Sequence, residues 1–493
     1  MRLHEVAQAL NAAAVGADVE LSAVVTDSRQ LVPGCLFVAL KGPRFDGHRF
    51  AEQALEQGAA AVMVAAGERL SISPAIVVDD TLHALGRLAA WHRARMAVKV
   101  VAITGSNGKT TVKEMLAAIL TAAVEDVEHG GSAVLATAGN LNNDIGVPLT
   151  LLRLTPEHRY AVIEMGMNHA GEIAYLTHLA RPDVALVNNA LRAHLEGLGS
   201  VEAIARAKGE IYAGLKDDGI AIINADDPHA ILWRGLACPH KVLSFGYSEN
   251  ANVRIESSGG VGAAGQHSSG DTGPLLLDTL QGRIEVRLQV PGEHNRRNAA
   301  AAATAALALG VAPAAIVQGL SAYGGVKGRL QQHACILGAT LIDDSYNANP
   351  DSVLAAIQVL AARPGLRILV LGDMGELGAD AANLHREVGE QASVAGIDRL
   401  LCLGEMSIHA VEAFGRGGMH FERIEELLAE IECALGPDVT VLVKGSRFMK
   451  MERVVQSFME GDDRPHAHKT GSLPPKGTQS PPSGGPAEDN TCS

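Results

Sequence analysis

The sequence predicts a three-domain α/β protein. Short apolar runs rich in β-branched residues alternate with Ala- and Leu-rich helical stretches, the pattern of parallel sheets covered by helices. Hydrophobic residues make up 47% of the chain but aromatic ones only 3%. Cores must therefore be built from Ala, Val, Leu and Ile, which suits strands buried on both faces. The 493 residues exceed what one core holds and suggest about three or four domains.

The first unit, residues 1–97, is expected to be a smaller N-terminal α/β domain. It has strands at 35–40 and 75–78, a helix at 50–57, and a last helix closing at Trp91-His92-Arg93-Ala94-Arg95. The second unit, 98–320, opens with the apolar run 98–104, a buried parallel strand by length and β-branching. A glycine loop and a helix over 109–121 follow, then strands at 160–164, 184–187 and 220–223. That succession predicts a doubly wound sheet around a P-loop. Residues 257–275 are rich in Gly, Ser and Ala and are expected to form a surface loop. The third unit, 321–462, has strands at 340–343, 367–371, 399–403 and 439–443 with helices between them, a Rossmann-like α/β domain. Residues 463–493 are rich in Pro, Gly, Ser and Thr and are expected to be a disordered tail. No internal repeat is found.

A net charge of −14 argues against general nucleic-acid binding, which needs Lys and Arg against phosphates. Aromatic stacking platforms are missing too. The six cysteines form no Cys-x-x-Cys pair, and such scatter fits a reducing compartment. The first residues, Met1-Arg2-Leu3-His4-Glu5, lack the apolar core of a signal peptide. No apolar run is long enough to span a bilayer. A cytoplasmic monomer is the expectation.

Strand, then Gly105-Ser106-Asn107-Gly108-Lys109-Thr110, then helix, is the physical recipe for a phosphate cradle. Glycines let backbone N–H groups point at phosphate oxygens with no Cβ in the way. The helix N-terminus adds the positive end of its dipole. Lys109 can reach the β- and γ-phosphates of ATP, and the Thr110 hydroxyl can ligate Mg²⁺. The loop is shorter than the common G-x4-G-K-[ST] form. A chance Gly-rich turn is the bland alternative, but it would need neither this strand nor this helix.

Ligands of open α/β sheets sit beyond the carboxyl ends of strands, so polar residues there are candidates. Glu164 ends one strand, where a carboxylate suits Mg²⁺ or caps a helix. Asn188-Asn189 ends the next, with His194 just after. Asp343-Asp344-Ser345-Tyr346-Asn347-Ala348-Asn349-Pro350 follows a strand of the third unit. Its density of polar groups favours a ligand-facing loop over a capped turn. Gly372-Asp373-Met374-Gly375-Glu376-Leu377-Gly378 and Lys444-Gly445-Ser446-Arg447 follow two others, and the fork of Arg447 suits a carboxylate. Lys208, on a helix, reads from its residues alone as an ordinary solvated lysine.

Taken together, these segments resemble the Mur ligase family of peptidoglycan synthesis, from about Val24 to Arg453. Thr104-Gly105-Ser106-Asn107-Gly108-Lys109-Thr110-Thr111 matches that family's short phosphate loop. Gly139-Asn140-Leu141-Asn142-Asn143-Asp144-Ile145-Gly146-Val147-Pro148, Ala193-His194-Leu195-Glu196-Gly197, Ala207-Lys208-Gly209-Glu210-Ile211 and Pro291-Gly292-Glu293-His294-Asn295 carry the resemblance further. An Asp-Asn-Pro-Arg signature, carried by the member that adds the third amino acid, is missing. The pattern is similar to the branch that adds a dipeptide.

The resemblance implies an ATP-dependent amide ligase joining D-alanyl-D-alanine to UDP-N-acetylmuramoyl-tripeptide. It implies that Thr110, Glu164 and His194 hold Mg²⁺, and that Lys208 is carbamylated by CO₂ into a carboxylate-like metal ligand. Gly105 through Thr111 would hold the phosphates, with Asn295 and Asn298 by the adenine. Arg329 and Asp344 would close over the nucleotide. Ser28, Arg29, Lys41, Gly42, Asp46, Gly47 and His48 would bind the UDP-sugar end, and Asn140, Asn142, Asn143 and Asp144 would face the peptide. Tyr346, Asn347, Asn349, Lys444 and Arg447 would serve the dipeptide. Arg192 is a departure, because the family pattern leads us to expect a small residue before Ala193-His194. In the implied reaction ATP phosphorylates a carboxylate, and the dipeptide's amine attacks the acyl phosphate in a closed, water-poor site. The alternatives are a folylpolyglutamate synthase-type ligase, a Mur ligase with another acceptor, and a nucleotide switch without ligation. The Asp344 loop argues against the first two, and two polar-lined units around one phosphate loop argue against the third.

Overall fold

The computed structural model describes residues 1–43, 45–67, 72–124, 133–256 and 273–459. The tail expected over 463–493 and most of the loop expected over 257–275 lie outside those residues. Leu275, at the end of that loop, already begins a strand. The strands form three sheets.

The N-terminal sheet holds β1 (Ala13–Val15), β2 (Val24–Val25), β3 (Leu36–Val38), β4 (Ala61–Ala65) and β5 (Ala75–Val78), in the order β1-β5-β4-β3-β2. β1 is its antiparallel member. Leu3, Val6 and Leu10 of one helix and Leu85 and Leu88 of another pack on Leu36, Met63 and Ile76.

The central sheet holds β6 (Lys99–Thr104), β7 (Val134–Ala136), β8 (Tyr160–Glu164), β9 (Val184–Val187), β10 (Ile220–Asn224), β11 (Lys241–Gly246), β12 (Val253–Ile255), β13 (Leu275–Thr279) and β14 (Gly282–Val286). Their order is β14-β13-β12-β11-β10-β9-β6-β8-β7. β6 to β12 are parallel, as the apolar runs predict, but β12, β13 and β14 pair antiparallel. The reason is visible in the burial. Leu275, Leu277, Ile284 and Val286 are buried while Asp278, Arg283 and Glu285 are exposed, the alternation of a one-sided sheet. The scarcity of aromatics shows in the helices. Ala299 to Ala303 of the helix Glu293–Ala308 are shut off from solvent. A Cβ on Gly319 would stand 2.4 Å from the Cα of Ile119, so the helices Pro313–Ala322 and Lys109–Val124 meet backbone to backbone.

The C-terminal sheet holds β15 (Gln331–Ala334), β16 (Thr340–Asp344), β17 (Leu366–Gly372), β18 (Arg399–Leu403), β19 (Gly418–Phe421) and β20 (Val439–Lys444), in the order β15-β16-β20-β17-β18-β19. β15 is antiparallel and the rest are parallel. Its apolar clusters are separate from those of the central sheet, and Leu195 packs against both sides. Both sheets have a switch point where strand order reverses: around β6 in the central sheet, and where β20 inserts between β16 and β17. Crevices for ligands open at such points, beyond the carboxyl ends of the strands. Among the described residues no helix is long and apolar enough to cross a membrane.

Candidate active site

β6 ends at Thr104, whose Oγ1 donates to Met165 O at 2.8 Å. The chain then turns through the glycine loop into the helix Lys109–Val124. Asparagines at the end of β9 hold the loop in shape. Asn189 O accepts from Ser106 N at 3.0 Å and Asn189 Oδ1 from Asn107 N at 2.9 Å. Asn188 Nδ2 donates to Asn107 O at 2.9 Å and to Asn298 Oδ1 at 3.0 Å. Gly108 has φ +79°, and a Cβ there would stand 2.4 Å from Asn298 Oδ1, so a side chain is excluded on both counts. Lys109 Nζ curls back onto Gly105 O at 2.7 Å and Ser106 O at 3.2 Å. Burial pulls its pKa below the ordinary lysine value, against the opposing charge of Glu164. This cation leans on neutral carbonyls alone, a contact that an incoming phosphate would outcompete.

Glu164 ends β8 level with Ile103 of β6. It is 2% exposed. Its Oε1 accepts from Asn142 Nδ2 at 2.8 Å, while Oε2 is buried without a hydrogen-bond partner among the described residues. A buried carboxylate oxygen without a donor is the kind of group a cation satisfies. Lys208 overturns the solvated reading of its local sequence: it is 1% exposed and its side chain has no hydrogen bond or ion pair among the described residues. Burial, and then the charge of Lys109, hold its pKa well below the lysine value. His194 has φ +61°, and its Nδ1 lies 2.6 Å from Glu376 Oε2 in the loop after β17. Thr110 Oγ1 accepts from Arg329 Nη2 at 3.0 Å. Among the described residues no three His, Cys, Asp or Glu side chains form a ready metal cluster. Glu164 and His194 fit a hard cation that takes its other ligands from hydroxyl, water and phosphate oxygens, as Mg²⁺ commonly does.

The C-terminal sheet faces this site with groups already paired. Asp344 and Lys444 are opposite each other on β16 and β20, and Lys444 Nζ donates to Asp344 Oδ2 at 2.6 Å and to Asn347 O at 2.9 Å. Burial raises the Asp344 pKa, with Lys444 opposing. Asn349 caps the helix Pro350–Ala361 by accepting from Ser352 N at 2.9 Å. It also exchanges side-chain bonds with Asn107, 3.2 Å one way and 2.7 Å the other. The Arg329 guanidinium stacks over Tyr346 at 4.4 Å from the ring centre. Ser446 Oγ accepts from Gly375 N at 2.8 Å and donates to Ala348 O at 3.1 Å.

A single cavity of about 890 Å³ joins the two edges. Ser106, Asn107, Gly108, Lys109 and Thr111 line it from the phosphate loop, and Asn140, Asn142, Asn143, Glu164, His194, Asn295 and Asn298 from the rest of the central domain. Arg329, Asp344, Tyr346, Asn347, Asn349, Lys444 and Arg447 line the other side. Gly105, Thr110, Asp144 and Lys208 do not line it; Thr110 is reached through Arg329 and Lys208 through the field of Lys109. Ser28, Arg29, Lys41, Gly42, Asp46, Gly47 and His48 belong to the N-terminal sheet's loops and lie outside it. There Asp27 Oδ2 holds Arg29 Nη2 at 2.7 Å, and His48 Nδ1 is 2.7 Å from Asp46 Oδ1. Asp226, Asp227, Arg297, Tyr323 and Asp351 also line the cavity, and sequence reasoning passed over them. Asp226 and Asp227 follow β10, so the strand-end rule that picked Glu164 would have found them. Asp351 has no such local signal.

Three family profiles match the chain in order: "Mur ligase family, catalytic domain" over residues 20–93, "Mur ligase middle domain" over 103–306, and "Mur ligase, glutamate ligase domain" over 328–447. The UDP-N-acetylmuramoyl-tripeptide--D-alanyl-D-alanine ligase of Escherichia coli (strain K12) is 47% identical over 460 residues, 93% of this chain and 98% of that one. A crystal structure of MurF from Acinetobacter baumannii superposes with a TM-score of 0.83 at 36% identity, over 92% of this chain and 98% of that one. The MurF ligase of Thermotoga maritima, solved in complex with ADP, gives 0.75 at 27% identity, over 88% and 96%. With profiles of one family matching in order along the chain and relatives aligned over more than nine-tenths of it, the chain belongs to the Mur ligase family.

Proposed function

We propose that this chain is an ATP-dependent amide ligase that joins D-alanyl-D-alanine to UDP-N-acetylmuramoyl-tripeptide, giving ADP, phosphate and the pentapeptide precursor of peptidoglycan. The observation that carries the substrate pair is 47% identity across nearly the whole of both chains. One cavity between the phosphate loop and the C-terminal sheet supports the chemistry.

Bound ATP supplies the phosphoryl group that converts the tripeptide's terminal carboxylate into an acyl phosphate. Lys109 exchanges its loop carbonyls for phosphate oxygens and neutralises charge on the transferring group, the main lever in such reactions. Thr110, Glu164 and His194 would hold Mg²⁺, which adds Lewis-acid stabilisation. Lys208 is carbamylated in this proposal. An unprotonated amine is what adds to CO₂, losing its proton as the carbamate forms, and burial beside Lys109 shifts Lys208 towards that form. The product is an anion beside a cation site, which relieves the repulsion from Lys109. Asn298, held by Asn188 beside the phosphate loop, and Asn295, bonded to it, would lie by the adenine. Asn140, Asn142, Asn143 and Asp144 serve the peptide, and Tyr346, Asn347 and Arg447 orient the dipeptide, Arg447 through its fork on the carboxylate. The dipeptide's uncharged amine attacks the acyl carbon, the bond to phosphate breaks and the nitrogen's surplus proton leaves with the released phosphate; excluding water from the cavity protects the acyl phosphate.

Ser28, Arg29, Lys41, Gly42, Asp46, Gly47 and His48 are proposed for the UDP-sugar end. The proposed domain divisions are 1–97, 98–320 and 321–462, with the helix Pro313–Ala322 packing on the helix Lys109–Val124. We assign the reaction to the cytoplasm, carried out by a monomer. Phosphate release tests the proposal: it should require ATP, UDP-N-acetylmuramoyl-tripeptide and D-alanyl-D-alanine together. Equal release with another amino-acid acceptor, or with ATP alone, would overturn it.

A further inference from the structure

The segment after β9 carries Asn189, which holds the phosphate loop, and His194. The C-terminal domain grips it at a residue that the proposed chemistry does not use. Arg192 N donates to Asp351 Oδ2 at 2.8 Å, and its Nε and Nη2 donate to Asp351 Oδ1 at 3.1 and 2.7 Å. Arg192 Nη1 donates to Glu387 Oε2 at 2.7 Å. Asp351 stands in the first turn of the helix Pro350–Ala361, and Glu387 on the helix Ala381–Val394. One guanidinium from the central domain therefore spans two helices of the C-terminal one. Close by, Glu196 N donates to Glu376 O at 3.1 Å, and His194 meets the Glu376 carboxylate.

We propose that Arg192 is a positioning residue, a latch that holds the C-terminal domain closed on the phosphate loop and fixes His194 for catalysis. This rests on the ligase reading above. It also gives a purpose to the one position where a small residue was expected. The latch acts on closure rather than on folding, because the apolar clusters on its two sides are separate. The fork on Asp351 needs a planar guanidinium, which lysine does not offer. The three side chains are 27%, 21% and 37% exposed, so salt reaches and screens them.

The test uses the full chain with Arg192→Ala and Arg192→Lys. Arg192→Ala should raise KM for D-alanyl-D-alanine roughly tenfold and broaden the small-angle scattering profile of the ADP-bound protein. Calorimetric affinity for ADP, whose phosphates would rest chiefly on the central domain's glycine loop, should stay within about twofold. Raising salt to about 0.5 M should lift the wild-type KM towards that of Arg192→Ala and leave the variant's unchanged. Arg192→Lys should recover less than half of the loss. Unchanged KM and scattering in Arg192→Ala would overturn the proposal. So would parallel losses of ADP affinity and thermal stability, which would mark a merely structural role. If no ligation of this dipeptide is detected at all, the ligase reading falls, and scattering with ADP decides the latch by itself.

Discussion

At the carboxyl end of β20, Lys444 is 3% exposed and finds Asp344 at 2.6 Å and a backbone carbonyl at 2.9 Å. In the central domain, Lys208 is 1% exposed and finds no such partner among the described residues. The same contrast extends to their neighbours. Glu164 Oε2 is buried without a hydrogen-bond partner among the described residues, whereas Asp373 of the C-terminal sheet accepts from Met406 N and Ser407 N at 3.1 and 2.8 Å. Buried polar groups are normally satisfied, and leaving one bare is costly. The strand ends of the C-terminal sheet are thus largely paired among themselves. The central edge keeps open valences, which the proposed function fills with phosphate, metal and CO₂.

Mutations should fall differently on the two edges, and the largest effect belongs to the open one. Lys109→Ala should lower ligation by about 10³-fold, read as phosphate release with both substrates present. Near-wild-type turnover would break the contrast at its root. On the paired edge, Lys444→Met leaves Asp344 buried with its main partner gone. It should cost about 3–5 kcal/mol in urea unfolding; a loss under about 1 kcal/mol would show that the pair is not truly buried. Lys208→Met should do the opposite, abolishing ligation without rescue by high bicarbonate while stabilising the ligand-free protein by about 2 kcal/mol in CO₂-free buffer. The sign follows from linkage. A lysine whose folded pKa is depressed contributes stability above its unfolded value of 10.5 and loses it as pH falls. The gain from Lys208→Met should therefore be largest near neutral pH and shrink as pH rises; a gain that grows with pH would contradict the buried, uncharged amine. Smallest, Asn349→Ala should cost about 1 kcal/mol through its helix cap, with a modest rise in KM for ATP if its bonds to Asn107 help set the loop.

What the sequence discloses follows the same division. The runs 160–164, 184–187 and 399–403 are strands with those bounds, because short, nearly continuous apolar runs suit strands buried on both faces. Glu164, Asn188, Asp344 and Lys444 were visible as polar residues at strand ends, and they line one cavity. The hairpin of β13 and β14 was missed because it abuts a Gly- and Ser-rich stretch that masks its alternation. Lys208 was misread because Arg206 and Glu210 flank it, so its turn of helix looks solvated. Arg192 was noticed only as an oddity. Its partners lie 159 and 195 residues away, and no local pattern reports a contact at that range.

Separate apolar clusters, bridged by Leu195, have a consequence for descent. The half proposed to meet the acceptor can be remodelled by natural selection, or exchanged wholesale, without repacking the alanine-tight helices beside the phosphate loop. What must be inherited unchanged is the seam itself: Leu195 and the polar side chains that meet across it. An engineer seeking a ligase for a new amine would cut there.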